Sequence, residues 1–190
     1  MRQACTDGFL FPNAELARRS LLDRKGFPET YDTWSMCAAL NAVRKGPAVF
    51  PGHSHTRYDI DPELASVLDQ PQVLIIEGLG FGTPHGRLPV DCLIYLDAEE
   101  LDLEAWYVAR FLGFWRTAQT DPNSFYARFL SLDEAGVTRV ARAVWAGVNL
   151  PNLRDHIVGL RALADVVVHK GPDHGIDHID IQRLPARPNL

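Results

Sequence analysis

Short apolar runs alternate with amphipathic stretches along this chain, and the alternation predicts an order of helices and strands. Asn13 to Lys25 reads as a helix, with Asn13 as cap, Glu15 in the first turn and Gly26-Phe27-Pro28 as the stop. A second helix is expected from Tyr31 or Asp32 to Lys45, ending at Gly46-Pro47. Residues 46–60 read as loop or edge strand, and Pro62 to Asp69 as a short helical or irregular link. Val73-Leu74-Ile75-Ile76 is a continuous apolar run ended by Glu77-Gly78, the pattern of a strand buried on both faces. A loop rich in glycine and proline fills 78–89, and Val90 to Leu96 is a second buried strand. Glu99 to about Trp115 is a long helix, with Leu103, Tyr107, Arg110, Phe111 and Phe114 at helical spacing. Ser131 and Glu134 have capping-box spacing for a helix to about Val148. A turn at 149–152, a helical segment at 152–162 and strands at 164–169 and 176–183 complete the order. Such alternation indicates an α/β fold with a mostly parallel sheet flanked by helices.

Composition narrows the class. The 190 residues suit a single domain, 1–190, able to bury its own core. A net charge of -5 and the lack of a Lys/Arg-rich block argue against a nucleic-acid binder. Cys5, Cys37 and Cys92 are widely spaced and odd in number, which reads as reduced thiols, and no CxxC pair offers a zinc site. No apolar run approaches the roughly 20 residues of a membrane span, and Met1 to Thr6 carries no signal-peptide core. The expectation is a cytoplasmic protein with no membrane partner.

The chemistry concentrates at strand ends. Thr6-Asp7-Gly8-Phe9 puts a carboxylate where a strand would pass into a loop, and in open α/β sheets ligands collect at such carboxyl ends. Asp7 therefore reads as a catalytic base, or as a plain Asp-Gly turn former. Glu77 ends an apolar strand and could hold Mg²⁺ or orient a nucleophile through water, or else cap a helix or pair with a cation. His53, Ser54, His55 and Tyr58 suggest hydrogen bonding to a polar substrate more than a metal, since no complete ligand set accompanies the H-x-H spacing. The tail with His169, Asp173, His174, Asp177, His178 and Asp180 reads as a loop and edge strand, with ligand stacking by one histidine. Arg110 lies within an aromatic stripe, where a buried guanidinium would need an anionic partner such as a phosphate.

Ordered motifs add a resemblance. Thr6 to Asn13, Lys25-Gly26-Phe27-Pro28-Glu29-Thr30-Tyr31-Asp32, Ser54-His55 with Tyr58-Asp59, and Leu74-Ile75-Ile76-Glu77-Gly78-Leu79 come in this order. Trp106-Tyr107 with Arg110-Phe111, Thr120-Asp121-Pro122 and Asn149-Leu150-Pro151-Asn152-Leu153 follow. In order and spacing the set resembles the bacterial type I pantothenate kinases, from about residue 5 to the end. The resemblance implies a P-loop kinase fold and phosphorylation of pantothenate by ATP with Mg²⁺, the first step of coenzyme A synthesis. It implies that Asp7 accepts the hydroxyl proton of pantothenate, and that Arg110 meets the transferring phosphate. His55, Tyr58, Tyr107 and Asn149 match pantothenate-contacting positions. Phe111 and Phe114 resemble the aromatic wall over the pantetheine-like arm. Glu77 matches the acidic residue beside metal and phosphates, and His174 a histidine that stacks on adenine. Coenzyme A as a feedback ligand and a homodimer are further implications.

The chain also departs from that pattern. His53 stands where a tyrosine is expected near the substrate, and Gln119 where an aromatic is usual. The family's G-x-x-x-x-G-K-[ST] loop is upstream of the Asp-Gly-Phe motif, and this chain has no Gly-Lys dipeptide. Without backbone amides to cradle the phosphates and a lysine to neutralise them, little or no kinase activity is expected of residues 1–190 alone. Two alternatives stand beside the kinase: a non-catalytic binder of pantothenate or coenzyme A, and a kinase for another hydroxylated metabolite such as a nucleoside.

Overall fold

A computed structural model describes residues 1–83 and 86–183, which divide into two compact units between Pro89 and Val90. The expected 78–89 loop falls partly outside the described residues.

In the first unit, β1 (Arg2–Cys5) leads through a tight 3-10 turn at Thr6–Phe9 into α1 (Asn13–Arg18). The predicted helix to Lys25 is therefore half as long. Ser20 adopts φ 57, a left-handed turn that ends the helix early, and Leu22–Arg24 is only a 3-10 turn. Nor does Asn13 cap with its side chain, which instead reaches the Tyr58 loop.

Helix α2 (Thr33–Ala42) starts at Asp32, whose carboxylate accepts from the Ser35 amide at 2.9 Å. β2 (Pro47–Ser54) and β3 (Asp59–Asp69) form an antiparallel hairpin, so the 62–69 stretch expected to be helical or irregular is strand. Cross-strand pairing decides it: Ala48 and Leu68 are opposite each other on the buried face, and Val49 and Val67 on the exposed one. A bulge between Phe50 and Gly52 shifts the register and aims the following histidines.

β4 (Leu74–Glu77) pairs in parallel with β1, and β5 (Gly82–Thr83) pairs with β6 (Gly86–Arg87). β4 is not buried on both faces. Val73 and Ile75 are 52% and 46% exposed, and Ile75 is in register with exposed Gln3. An unbroken apolar run does not show which of its sides is covered.

The second unit begins with β7 (Ile94–Asp97) and α3 (Glu100–Ala118). Phe111, Trp115 and Ala118 recur at helical spacing and pack on Tyr126 and on Val137 and Ala141 of α4 (Glu134–Val144). The cap of α4 is Asp133, which accepts from the Gly136 amide at 2.7 Å, rather than the expected Ser131 capping box. The expected turn at 149–152 is helical, a continuation of α4 through wide π-type turns at 145–149 and 153–157.

β8 (Val166–Lys170) then pairs in parallel with β7 and antiparallel with β9 (Ile176–Ile181). Ile94, Leu96, Ile179 and Ile181 share one face of this sheet and are all more than half exposed. The chain is α/β, with two parallel strand pairs and antiparallel hairpins beside them.

Candidate active site

In the parallel β1–β4 pair Cys5 is opposite Glu77, so both strands present their carboxyl ends at one edge. Asp7 follows β1 by two residues, and its carboxylate and that of Glu77 emerge from the same end of the pair. Two glycines make the arrangement compact. Gly78, at φ 125, packs so close to the Thr6 hydroxyl that a Cβ there would collide with it. A Cβ at Gly8 would run into the Pro51 carbonyl, so this residue permits backbone contact between the Asp7 turn and β2. That is a stronger reason for Asp-Gly than turn formation.

Electrostatics at this edge favour protonated neighbours. Burial, above all, pushes the Cys5 thiol up to about 12, and the Asp7 and Glu77 charges add to it. Tyr31 donates its hydroxyl to Asp7 Oδ1 at 3.2 Å. Burial first, and then the Asp7 charge, hold this phenol above its usual range, so it stays a donor.

His53 and His55 follow the β2 bulge. Their rings make an edge contact at 5.3 Å, and one donor atom from each falls within 4.8 Å of an Asp7 carboxylate oxygen. Burial first, then the Lys25 charge, lowers His53 to about 4, so its ring is neutral. Tyr58 stands at φ 57, and its carbonyl accepts from Lys25 Nζ at 2.6 Å and from Asn13 Nδ2 at 2.9 Å. Lys25 also donates to Asn13 Oδ1 at 2.8 Å and lies over the Tyr58 ring. Its burial depresses the ammonium to about 8, against the pull of Asp59 and Asp7.

The second unit holds the remaining sequence-derived residues. Tyr107 is half-buried, and its phenol is raised by burial while Asn149 and Arg110 act to lower it. These three are therefore neighbours. Asn149 Nδ2 is buried without a hydrogen-bond partner among the described residues. Arg110 is exposed, so the expectation of a buried guanidinium is corrected: on α3 it points away from the Phe111 and Trp115 core. Phe111 is inside that core against Tyr126 and Phe129, and Phe114 stacks on Tyr126 at 5.1 Å. His174 stacks on Trp106 at 4.1 Å, with Lys170 Nζ 3.2 Å from its Nδ1. Sequence reasoning assigned no role to Tyr31 or Lys25. Both are in the Lys25–Asp32 string, but only the fold reveals their contacts.

Comparison with known proteins follows the same line. No protein-family model matches. Pantothenate kinases of Agrobacterium fabrum and Lacticaseibacillus casei are 41% and 39% identical over 94% and 96% of the chain. By sequence the chain is a relative of the pantothenate kinases. It spans about 60% of the length of these curated relatives, 60% and 62% respectively. Among solved structures, the proposed fructose transport system kinase of Silicibacter sp. TM1040 superposes with a TM-score of 0.54 at 31% identity, covering 76% of this chain and 69% of that one. The YGR205w protein gives a TM-score of 0.60 at 12% identity over 96% of this chain and 78% of that one, a likeness of fold alone. The fold of this pantothenate kinase relative is α/β and P-loop kinase-like. Among the described residues no helix is long and apolar enough to cross a membrane.

Proposed function

We propose that this chain is the acceptor-binding part of a single kinase domain that phosphorylates pantothenate with ATP, as an early step toward coenzyme A in the cytoplasm. The observation that carries the reading is the shared carboxyl edge of β1 and β4, where Asp7 and Glu77 emerge together and Tyr31 holds one Asp7 oxygen. In this mechanism Asp7 accepts the proton of the substrate hydroxyl as that oxygen attacks. The Tyr31 hydrogen bond fixes the carboxylate, so the attacking oxygen approaches along one direction. In the first unit His55 and Tyr58 are assigned to pantothenate; in the second, taken by itself, Tyr107 and Asn149 carry the same assignment, Phe111 and Phe114 that of its apolar boundary, and Arg110 that of the moving phosphoryl group.

ATP and Mg²⁺ are the implied co-substrate and metal. Carboxylates at a strand edge suit a hard cation, so Glu77 fits a place beside Mg²⁺. His174 is assigned to the adenine, its ring already ordered by Trp106. No glycine-lysine pair of a phosphate-cradling loop is among these 190 residues. Phosphate activation is therefore not assigned to any residue here. Coenzyme A as a competing ligand and a homodimer belong to the same reading.

Beside it stands a second reading, a binder of pantothenate or coenzyme A without catalysis. One experiment separates the two. Phosphoryl transfer to pantothenate, a nucleoside and a sugar is measured for the chain and for a chimera supplying the phosphate-loop segment of a family member. Pantothenate-selective transfer by the chimera, abolished by Asp7→Asn, supports the kinase. A folded, inactive chimera that binds coenzyme A stoichiometrically by calorimetry supports the binder.

A further inference from the structure

Three donors of metal-binding type meet beside the Thr6–Phe9 turn. His53 is in β2 and His55 is the first residue past its end at Ser54, and an edge contact between the rings at 5.3 Å puts them on one side of the chain. The bulge after Phe50 and the backbone contact of Gly8 with Pro51 bring the Asp7 carboxylate to that side. One donor atom from each of the three residues is within 4.8 Å of the other two. For metal–ligand bonds of about 2.0–2.1 Å, tetrahedral ligands stand roughly 3.4 Å apart, within reach of small side-chain rotations. Both ring nitrogens of His53 are buried and have no hydrogen-bond partner among the described residues. A buried imidazole with neither nitrogen satisfied is costly unless something else fills the place.

We propose that Asp7, His53 and His55 form a three-donor site for a borderline-soft divalent cation of the Zn²⁺ class. Two imidazoles and a carboxylate suit Zn²⁺ or Co²⁺, whereas Mg²⁺ prefers an octahedral shell of oxygens. Three protein ligands leave a fourth position for water or a substrate oxygen. The binding itself stands apart from the kinase reading. Where that reading holds, a cation here occupies the Asp7 carboxylate and blocks its proton-accepting role.

A second cluster, His169, His178 and Asp180, has the same donor types. It is the weaker site, because His169 is already engaged through both nitrogens, by Asp97 at 3.3 Å and Asp180 at 3.0 Å.

The test is titration of the tag-free chain with Co²⁺ alone, read by the visible bands of tetrahedral cobalt, followed by displacement with Zn²⁺. Stoichiometric binding that resists excess Mg²⁺ is expected. His53→Phe and His55→Ala each weaken it by at least about 100-fold, as ligand removal should exceed the loss seen for outer-shell changes. His178→Ala leaves it unchanged. If His53→Phe does not fold by circular dichroism, the exposed His55 carries the test. No stoichiometric binding, or binding lost with His178→Ala and kept by His55→Ala, overturns the proposal. Neither outcome bears on whether the chimera phosphorylates pantothenate.

Discussion

The Tyr31 hydroxyl and the Asp7 carboxylate are joined by a 3.2 Å hydrogen bond, 24 residues apart in sequence and both at the mouth of the β1–β4 edge. The bond engages one carboxylate oxygen of Asp7, and in the proposed reaction the other faces the substrate hydroxyl. Tyr31→Phe keeps the ring and removes the donor. It is expected to lower stability by about 1 kcal/mol, measured by urea unfolding. In a catalytically competent chimera it should reduce kcat more than it raises KM, because Tyr31 orients the base and does not hold the substrate.

Gly8→Ala tests the backbone contact that sets the position of Asp7. The added methyl meets the Pro51 carbonyl, and the expected loss is about 2–3 kcal/mol. Gly26→Ala is the control. Its Cβ meets nothing within 4 Å, and its φ of 98 alone should cost about 1 kcal/mol. Equal losses for the two variants would contradict the steric account.

Lys25 gives a pH dependence with a definite sign. Its folded-state value, about 8, is below its ordinary 10.5. The unfolded chain therefore binds the extra proton between these limits, and stability rises with pH across them. Relative to Lys25→Met, the wild-type chain should gain about 2 kcal/mol between pH 7 and 9.5, measured by denaturant unfolding at each pH. A gain in the opposite direction would place the ammonium in a favourable ion pair instead.

The start of α4 can be probed with two alanines. Asp133→Ala should cost about 1 kcal/mol through loss of its hydrogen bond to the Gly136 amide. Ser131→Ala should stay within about 0.5 kcal/mol, as expected of a surface position without a cap. Thermal melts of both variants decide which residue caps the helix.

Much of the architecture was legible because periodicity and end signals agree. The α3 stripe predicted Phe111 on a packed face, and Asp32 was within one residue of the true start of α2. The errors have separate physical causes. The expected edge strand at 46–60 is present at Pro47–Ser54, but its partner at 62–69 is not legible, because strand identity there depends on residues such as Ala48 and Val49, not on local pattern. The helix from Asn13 is shorter than its pattern because nothing in Arg19-Ser20 announces the left-handed turn that ends it. Arg110 follows its aromatic neighbours in spacing, yet a single helical step rotates it off their face and leaves it exposed. Within the site, carboxylates and histidines could be nominated by type. The Tyr31 and Lys25 contacts join positions 24 and 33 residues apart and had no local trace.

The exposed aliphatic face of β7, β8 and β9 has a calorimetric consequence. Unfolding releases heat-capacity change in proportion to apolar area newly brought into contact with water, and Ile94, Leu96, Ile179 and Ile181 are largely hydrated already. The chain should therefore unfold with a heat-capacity increment per residue below the usual ~12–15 cal/mol/K. Its stability curve would be correspondingly flat, changing little between cold and warm conditions.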